Sequence, residues 1–312
     1  MNLRRSAMRA VLVIYKIGLR FGILILPAHY SIQVPNITEL AKTQSVWCKK
    51  SSMPGIPNSL DKQATNLRTM CLPYRDECAG NRVFLDATSK GFGHGFGYIE
   101  AQALHCVLRH LKPERIIEVG GGVSTRCMVH AVSSTKGETG RTTEITCIEP
   151  FPSRRLRELD GIRLLEKPVQ EVEMDIFMQL ERNDFLFIDS THTVKPGGDV
   201  NYLVLEILPR LKPGVVVHFH DVFLPYDYSR DVLQTFSHGS ETSLIRAFLI
   251  NNSRANILFC MSQLYYDKKD VLMEVFPEFE PQADSNGIYG ERVRPFEYPP
   301  GHFPSSLYLS IQ

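Results

Sequence analysis

From Arg115 onward the chain alternates short, nearly continuous apolar runs with stretches whose apolar residues recur at helical spacing. The runs "RIIEV" (115–119), "EITCIEP" (144–150), "DFLFIDSTH" (184–192) and "GVVVHF" (214–219) read as strands, and "VSTRCMVHAV" (123–132) and "VNYLVLEILPRL" (200–211) as helices. Strands apolar on both faces and separated by helices predict a doubly wound, mostly parallel α/β sheet, because each face must be covered by a helical layer. Farther along, "ETSLIRAFLINN" (241–252) reads as a helix and "NILFC" (256–260) and "SSLYLSIQ" (305–312) as strands.

Before Arg115 the pattern weakens. "AVLVIYKIGLRFGILIL" (10–26) is strongly apolar, but Lys16 and Arg20 interrupt it, whereas a membrane-spanning helix needs about 20 mostly apolar residues. The same cations and the sequence "PAHYS" (27–31) argue against a cleaved signal peptide. At 100° per residue Arg5, Arg9, Lys16 and Arg20 fall within about 60° of one another. This predicts an amphipathic helix that either lies on a membrane surface through residues 5–26 or packs on its own domain or a partner subunit, a homodimer included. Residues 27–85 show no sustained periodicity and read as loop-rich. "GFGHGFGYIE" (91–100) places four glycines around His94 ahead of a helical pattern at 98–111, and reads as a hinge. The organisation expected is therefore an N-terminal helix and extension over 1–90 and a sheet domain over 91–312.

Composition narrows the functional classes. A net charge of +1 lacks the basic field that sequence-independent nucleic-acid binding requires, which argues against nucleic acid as a partner. The seven cysteines contain no CxxC pair and no metal-ligand spacing, which favours a reducing, cytoplasmic setting, with membrane association left to the amphipathic helix.

In sheets of this kind ligands bind outside the carboxyl ends of the strands. The polar residues of the apolar runs collect there: Glu118 and Gly120, Gly121 and Gly122 after the first run, Glu149 after the second, Asp189 in the third, at the end of "DFLFI", and His220 and Asp221 after "GVVVHF". His218, inside that strand, reads as a hydrogen-bonded core histidine. The glycines would let a ligand approach the backbone closely.

"IIEVGGGVST", with Glu118, Gly120 and Gly122 in an E-x-G-x-G frame, resembles the first motif of class I S-adenosylmethionine-dependent methyltransferases. It does not fit a dinucleotide fingerprint, since Val123, Ser124 and Thr125 stand where the last glycine should fall. The resemblance covers roughly residues 98–260 and implies a seven-stranded Rossmann-like sheet completed by the last two strands. It implies a cofactor turn made by Glu118, Gly120, Gly121, Gly122 and Ser124, with Asp189 nearby, and Glu149 as the carboxylate that accepts the ribose hydroxyls. "FIDSTHTVKPGGDVNYLVLEILPRLKPGVVVHFHDV" (187–222) further resembles small-molecule O-methyltransferases of bacterial glycoside and polysaccharide pathways, relatives of the metal-dependent catechol type. That resemblance implies a divalent cation, Mg²⁺ or Mn²⁺, on Asp189, His220 and Asp221, and a sugar or other small-molecule hydroxyl as acceptor.

The residues alone lead to the same fork. Asp189 and Asp221 would stand about 5 Å apart if their strands are neighbours, and two carboxylates so close need a cation, a proton or a basic neighbour. Either a metal is held there, or His220 or His192 acts as a base towards the acceptor hydroxyl. The loop "DVFLPYDYSR" (221–230) is expected to cover the pocket with Tyr226 and Tyr228, and residues 277–304 form an irregular excursion, a lid or a surface loop. Two other classes stay open, a non-catalytic binding or assembly protein of a glycan pathway and a metal-dependent hydroxylase or hydrolase, since fold does not fix function.

Overall fold

The computed structural model describes residues 2–27, 32, 34–235, 238–283, 287–289 and 299–312, with side chains from Val11 onward. The chain begins with α1 (Asn2–Arg20), α2 (Ile37–Lys42), α3 (Gln44–Trp47), α4 (Leu60–Cys71), a 3-10 stretch (Leu72–Asn81), α5 (Arg82–Ser89) and α6 (Tyr98–Leu111). The alternating part follows as β1 (Arg115–Val119), α7 (Val123–Thr139), β2 (Glu144–Ile148), α8 (Arg154–Arg157), β3 (Arg163–Leu165), α9 (Met174–Met178) and β4 (Phe185–Ile188). Then come α10 (Asp199–Asn201), which continues helically to Arg210, β5 (Val216–Phe219), α11 (Glu241–Leu249), β6 (Ala255–Cys260), α12 (Met261–Asp267), α13 (Lys269–Val275) and β7 (Leu307–Ile311).

The seven strands form one sheet in the order β3-β2-β1-β4-β5-β7-β6. All neighbours pair in parallel except β7, which runs antiparallel to both β5 and β6. The chain lays strands outward from β1 to β3, then returns to the other side of β1 with β4, so the strand order reverses between β1 and β4. Loops leaving adjacent strands there diverge to opposite faces and open a crevice at the carboxyl ends.

Alternation along each strand divides the sheet's side chains between two cores. Phe185 and Phe187 of β4 join one core with Ile116, Ile145 and Tyr308, under α4 to α7 and α12 and α13. Leu186 and Ile188 join the other with Ile117, Val217 and Leu309, under α9, the α10 helix and α11. The parallel, doubly covered sheet expected from the apolar runs is the one observed, and the two late strands complete it.

Residues 27–85 are more helical than their pattern suggested. The α4 helix is N-capped by Ser59, whose hydroxyl accepts from Lys62 N at 3.3 Å, and it buries Gln63, Ala64, Leu67 and Cys71. A face made of one leucine, two small residues and an amide carries little hydrophobic signal. Gln63 is nevertheless tied to the sheet edge, accepting from Cys260 N at 2.8 Å and donating to Gln263 at 3.0 Å. Residues of α4 and α5 share one core with β1, β2 and β4.

The glycine loop 91–97 is pinned by Phe96, which is buried against Phe187 and against the His220 ring at 4.9 Å. His94 within it is exposed. Tyr226 and Tyr228 do not cover a pocket as expected: they pack on each other, on Trp47 and on Tyr266, because the loop turns their rings towards the α3 and α12 side. Of the excursion 277–304, residues 284–286 and 290–298 lie outside the described residues, as do residues 28–31 of "PAHYS" and the side chains of Arg5 and Arg9.

Candidate functional site

Each residue of the site is delivered by a strand end beside the crevice. Strand-end backbones interlock: Gly120 N donates to Ile148 O, Asp189 N to Val119 O and His220 N to Ile188 O, at 2.9–3.0 Å. Parallel register places Ile188 opposite Phe219, so Asp189 and His220 emerge side by side.

The glycine turn divides its labour. Gly120 has φ +84°, and a Cβ there would stand 1.9 Å from the Asp189 carbonyl oxygen. Its lack of a side chain is thus demanded by the protein's own backbone, not by a ligand as the motif suggested. Gly121 faces inward, where a Cβ would meet Cys147 and Leu156. Gly122 is the open member, its nearest neighbour being Phe92 O at 3.4 Å. Glu118 is fully buried and accepts from Ser124 Oγ at 2.7 Å and Thr125 Oγ1 at 2.6 Å. Burial, only partly offset by those hydroxyls, raises its pKa to about 7. Glu118 and Ser124 therefore brace the turn from beneath instead of lining the crevice.

The crevice itself, a cleft of about 360 Å³, is lined by Val119, Gly120, Glu149, Gln170, Asp189 and Lys195 among others. Glu149 stands at its rim, its carboxylate accepting from Phe151 N at 2.8 Å and Gly121 N at 3.2 Å. Thr191 donates to Asp199 through both its backbone N–H and its hydroxyl, at 2.9 and 2.7 Å, which fixes the loop over this cleft.

A second pocket of about 290 Å³ opens on the other side of Thr191. Its walls include His192, Asp221, Phe223, Arg230, Tyr289 and Phe303. Arg230, almost fully buried, donates to Gln282 at 3.0 Å and lies over the Phe303 ring at 4.6 Å.

Between the two pockets lies a cluster of three carboxylates and two imidazoles. His192 Nε2 stands 3.3 Å from Asp189 Oδ1 and 3.6 Å from Asp221 Oδ2, and its Nδ1 is 2.7 Å from Glu241 Oε2. His220 Nδ1 is 3.4 Å from Asp189 and 3.9 Å from Asp221. Ser190 donates to Glu241 at 3.2 Å and Ser305 to Asp221 at 2.8 Å. Fully buried Glu100 accepts from Ser305 N at 3.0 Å and pairs with His302, so it holds the segment that holds Asp221. His192 and Asp221 both adopt left-handed backbone, φ +57° and +55°. Two such non-glycine residues are strained, and strain of this kind gathers at functional sites.

The electrostatics follow from the geometry. Burial opposes charge on His192, but hydrogen bonds to Asp189 and Glu241 and the nearby Asp221 charge outweigh it and raise its pKa to about 11. His220 is likewise opposed by burial, yet Asp221 and Asp189 raise it to about 9. Burial pushes Asp189 upward, and the two imidazoles more than reverse this, holding it well below the ordinary carboxylate range. His218, buried and hydrogen-bonded to Ser306 at 2.9 Å, is driven well below 6.5 by burial first and by His220 second. It is the core histidine its position suggested.

The metal expectation does not fit this donor set. Among the described residues no group of three or more His, Cys, Asp or Glu side chains is arranged to hold a metal ion. The His192 imidazole, brought in by its left-handed backbone, stands between Asp189 and Asp221 where a cation on Asp189, His220 and Asp221 would have to sit. Strand-end spacing shows the two carboxylates but not a ring folded between them. Glu241, Ser305 and Glu100 also escaped the sequence reading. Glu241 had one faint signal, an acid in the first turn of an amphipathic helix.

Residues 117–222 match the family model described as a methyltransferase domain. A 26% identical relative, an uncharacterised protein of Archaeoglobus fulgidus, aligns over 169 residues, 50% of this chain and 74% of its own length. A Staphylococcus aureus structure provisionally assigned as a caffeoyl-CoA O-methyltransferase shares 14% identity over 64% of this chain and 94% of its own, with a TM-score of 0.39. A Plasmodium falciparum structure, provisionally assigned as a protein-L-isoaspartate O-methyltransferase and solved with S-adenosyl-L-homocysteine, shares 14% over 51% and 83%, with a TM-score of 0.27. The chain's own strand order, with the reversal at β1 and the antiparallel β7, defines the sheet independently of those distant likenesses. The glycine turn and the strand-end acid Glu149 both fall within the stretch from 117 to 222 that matches the methyltransferase-domain model.

Proposed function

We propose that the protein methylates a hydroxyl oxygen of a small molecule, a sugar or a related ring compound, using S-adenosylmethionine. The observation that carries this reading is the meeting of two pockets at one charged cluster: both share Thr191, the first contains Asp189, and the second contains His192 and Asp221. The first fits the cofactor, since it opens at the glycine turn, where Gly120 lines it, beside the carboxylate of Glu149. Glu149 would accept ribose hydroxyls there, and Gly120 to Gly122 would line the turn. When bound, the cofactor supplies an electrophilic methyl group on a positively charged sulfur.

The second pocket combines Phe223, Tyr289 and Phe303 with Ser229, Asp231 and Thr242, a mixture of ring faces and hydrogen-bonding groups that suits a polyhydroxylated ring. With its pKa raised to about 11, His192 is an imidazolium at neutral pH, held by Glu241 and Asp189, and its positive charge lines the wall against which the acceptor would lie. Asp221, its backbone strained and its carboxylate held by Ser305, takes the hydroxyl proton as the oxygen attacks. His220, beneath Phe96 and outside the second pocket, supports Asp189 electrostatically. Alignment of the two pockets provides the rest, through proximity.

The test is calorimetric titration with S-adenosylmethionine, followed by detection of methylated product from a panel of glycosides and phenols. Binding that weakens about 10- to 100-fold in Glu149→Ala supports the reading. No cofactor affinity at millimolar concentration removes it.

A further inference from the structure

The first helix presents an apolar surface that neither core takes up. None of residues 11–26 belongs to either core, and the exposed apolar side chains between Leu12 and Leu26 range from 37% to 76% exposed. The chain after the helix adds to this surface instead of covering it. Ile23 N donates to Gly18 O at 2.9 Å, folding residues 23–26 back along α1, and Ile25 packs where Gly18 lacks a side chain. Helix and returning segment thus form one continuous patch, larger than the scattered exposed apolar residues that a surface normally tolerates.

Charge selects what covers it. Residues 1–38 contain five Lys and Arg and no acid, the first acid being Glu39. The other 30 basic residues and all 34 acids lie beyond, so the rest of the chain carries a formal −4 against +5 here. By helical periodicity Arg5 and Arg9 fall on the stripe of Lys16 and Arg20, and from Ala10 to Leu19 the residues around the remaining circumference are apolar. Pairing of two copies through the apolar face of this helix would bury that face but leave the cationic stripe without counter-charge. A surface that is apolar beneath and anionic at its rim accommodates both features. No helix among the described residues is long and apolar enough to cross a membrane.

We propose that residues 5–26 dock the protein on an anionic lipid bilayer, with the apolar face sunk to the headgroup boundary and the cationic stripe at the level of the phosphates. This reading is independent of the methyl-transfer chemistry, and its failure leaves that chemistry untouched.

The experiment is co-sedimentation of the full chain with phosphatidylcholine vesicles, with and without phosphatidylserine. Binding should require the anionic lipid and should fall as salt shortens the range of the attraction. Each cation near such a surface contributes roughly fivefold in affinity, so Lys16→Glu with Arg20→Glu should lose about 25-fold or more. Leu12→Ser with Ile17→Ser, which leaves the charge unchanged, should also release the protein. An unchanged thermal midpoint in both variants shows that the fold is intact. Equal binding to both vesicle types, or retention by the charge-reversed variant, overturns the proposal. So does a wild-type dimer without vesicle affinity that dissociates on the Leu12 and Ile17 substitutions, which would place a second copy on the face.

Discussion

Replacing Glu241 by Gln keeps the shape and hydrogen-bonding capacity of the side chain but removes its charge, 2.7 Å from His192 Nδ1. The rise of His192 from 6.5 to about 11 corresponds to roughly 6 kcal/mol in favour of the imidazolium. Three carboxylates share this against the cost of burial, and Glu241 is the nearest of them. Its loss should remove about 2 kcal/mol, so that His192 titrates roughly one to two pH units lower in the variant. The assay is a pH titration of the His192 ring by NMR on labelled protein, assigned with His192→Gln. The sign for stability follows from the raised value. The contribution of His192 is complete below its unfolded pKa near 6.5 and is lost as pH rises through about 11, so in Glu241→Gln the alkaline loss of thermal stability should be smaller and should be complete at a lower pH. Asp189, held low in the fold, works in the opposite sense: its contribution is present above its unfolded value and is lost as acid protonates it. A wild-type His192 titrating near 6.5, or one unmoved by the substitution, refutes the assignment of His192 as an imidazolium donor.

Gly120→Ala should destabilise the fold by about 2 kcal/mol or more, since its Cβ would strike the Asp189 carbonyl and its φ is left-handed. Gly122→Ala, with only Phe92 O at 3.4 Å, should leave the melting temperature nearly unchanged while weakening cofactor binding; a reversed order of the two melting temperatures would contradict the division of labour in the turn. Chelation should leave turnover unchanged, because His192 stands between the acids that a metal would need; loss of activity on chelation, restored by Mg²⁺ or Mn²⁺, would reinstate the metal. Arg109, almost fully buried in α6 and bonded to Glu77, Thr135 and Glu138, should cost about 1–3 kcal/mol in chemical denaturation when replaced by Ala, through the lost packing of its buried stem and the lost donor to buried Thr135, its two carboxylate partners being partly exposed.

The sequence by itself determined the layered sheet and the level of the site. Apolar runs such as 185–188 and 216–219 can be stable only between two covering layers, and the polar residues that end them must emerge on one rim. Glu149, Asp189, His220 and Asp221 were legible for that reason, and so was the glycine turn. The helical character of 60–89 was not, because α4 buries an amide and small side chains whose value lies in their partners on β6. Only the tertiary structure decided how the charged groups compensate one another. Glu241 is 49 residues from His192, and Ser305 is 84 from Asp221. Their contacts depend on loop conformations, the left-handed turns at His192 and Asp221 among them, that carry no periodicity. Strand order could bring two carboxylates to neighbouring positions, but whether a metal, a proton or an imidazolium stands between them is set by the direction in which one backbone turns.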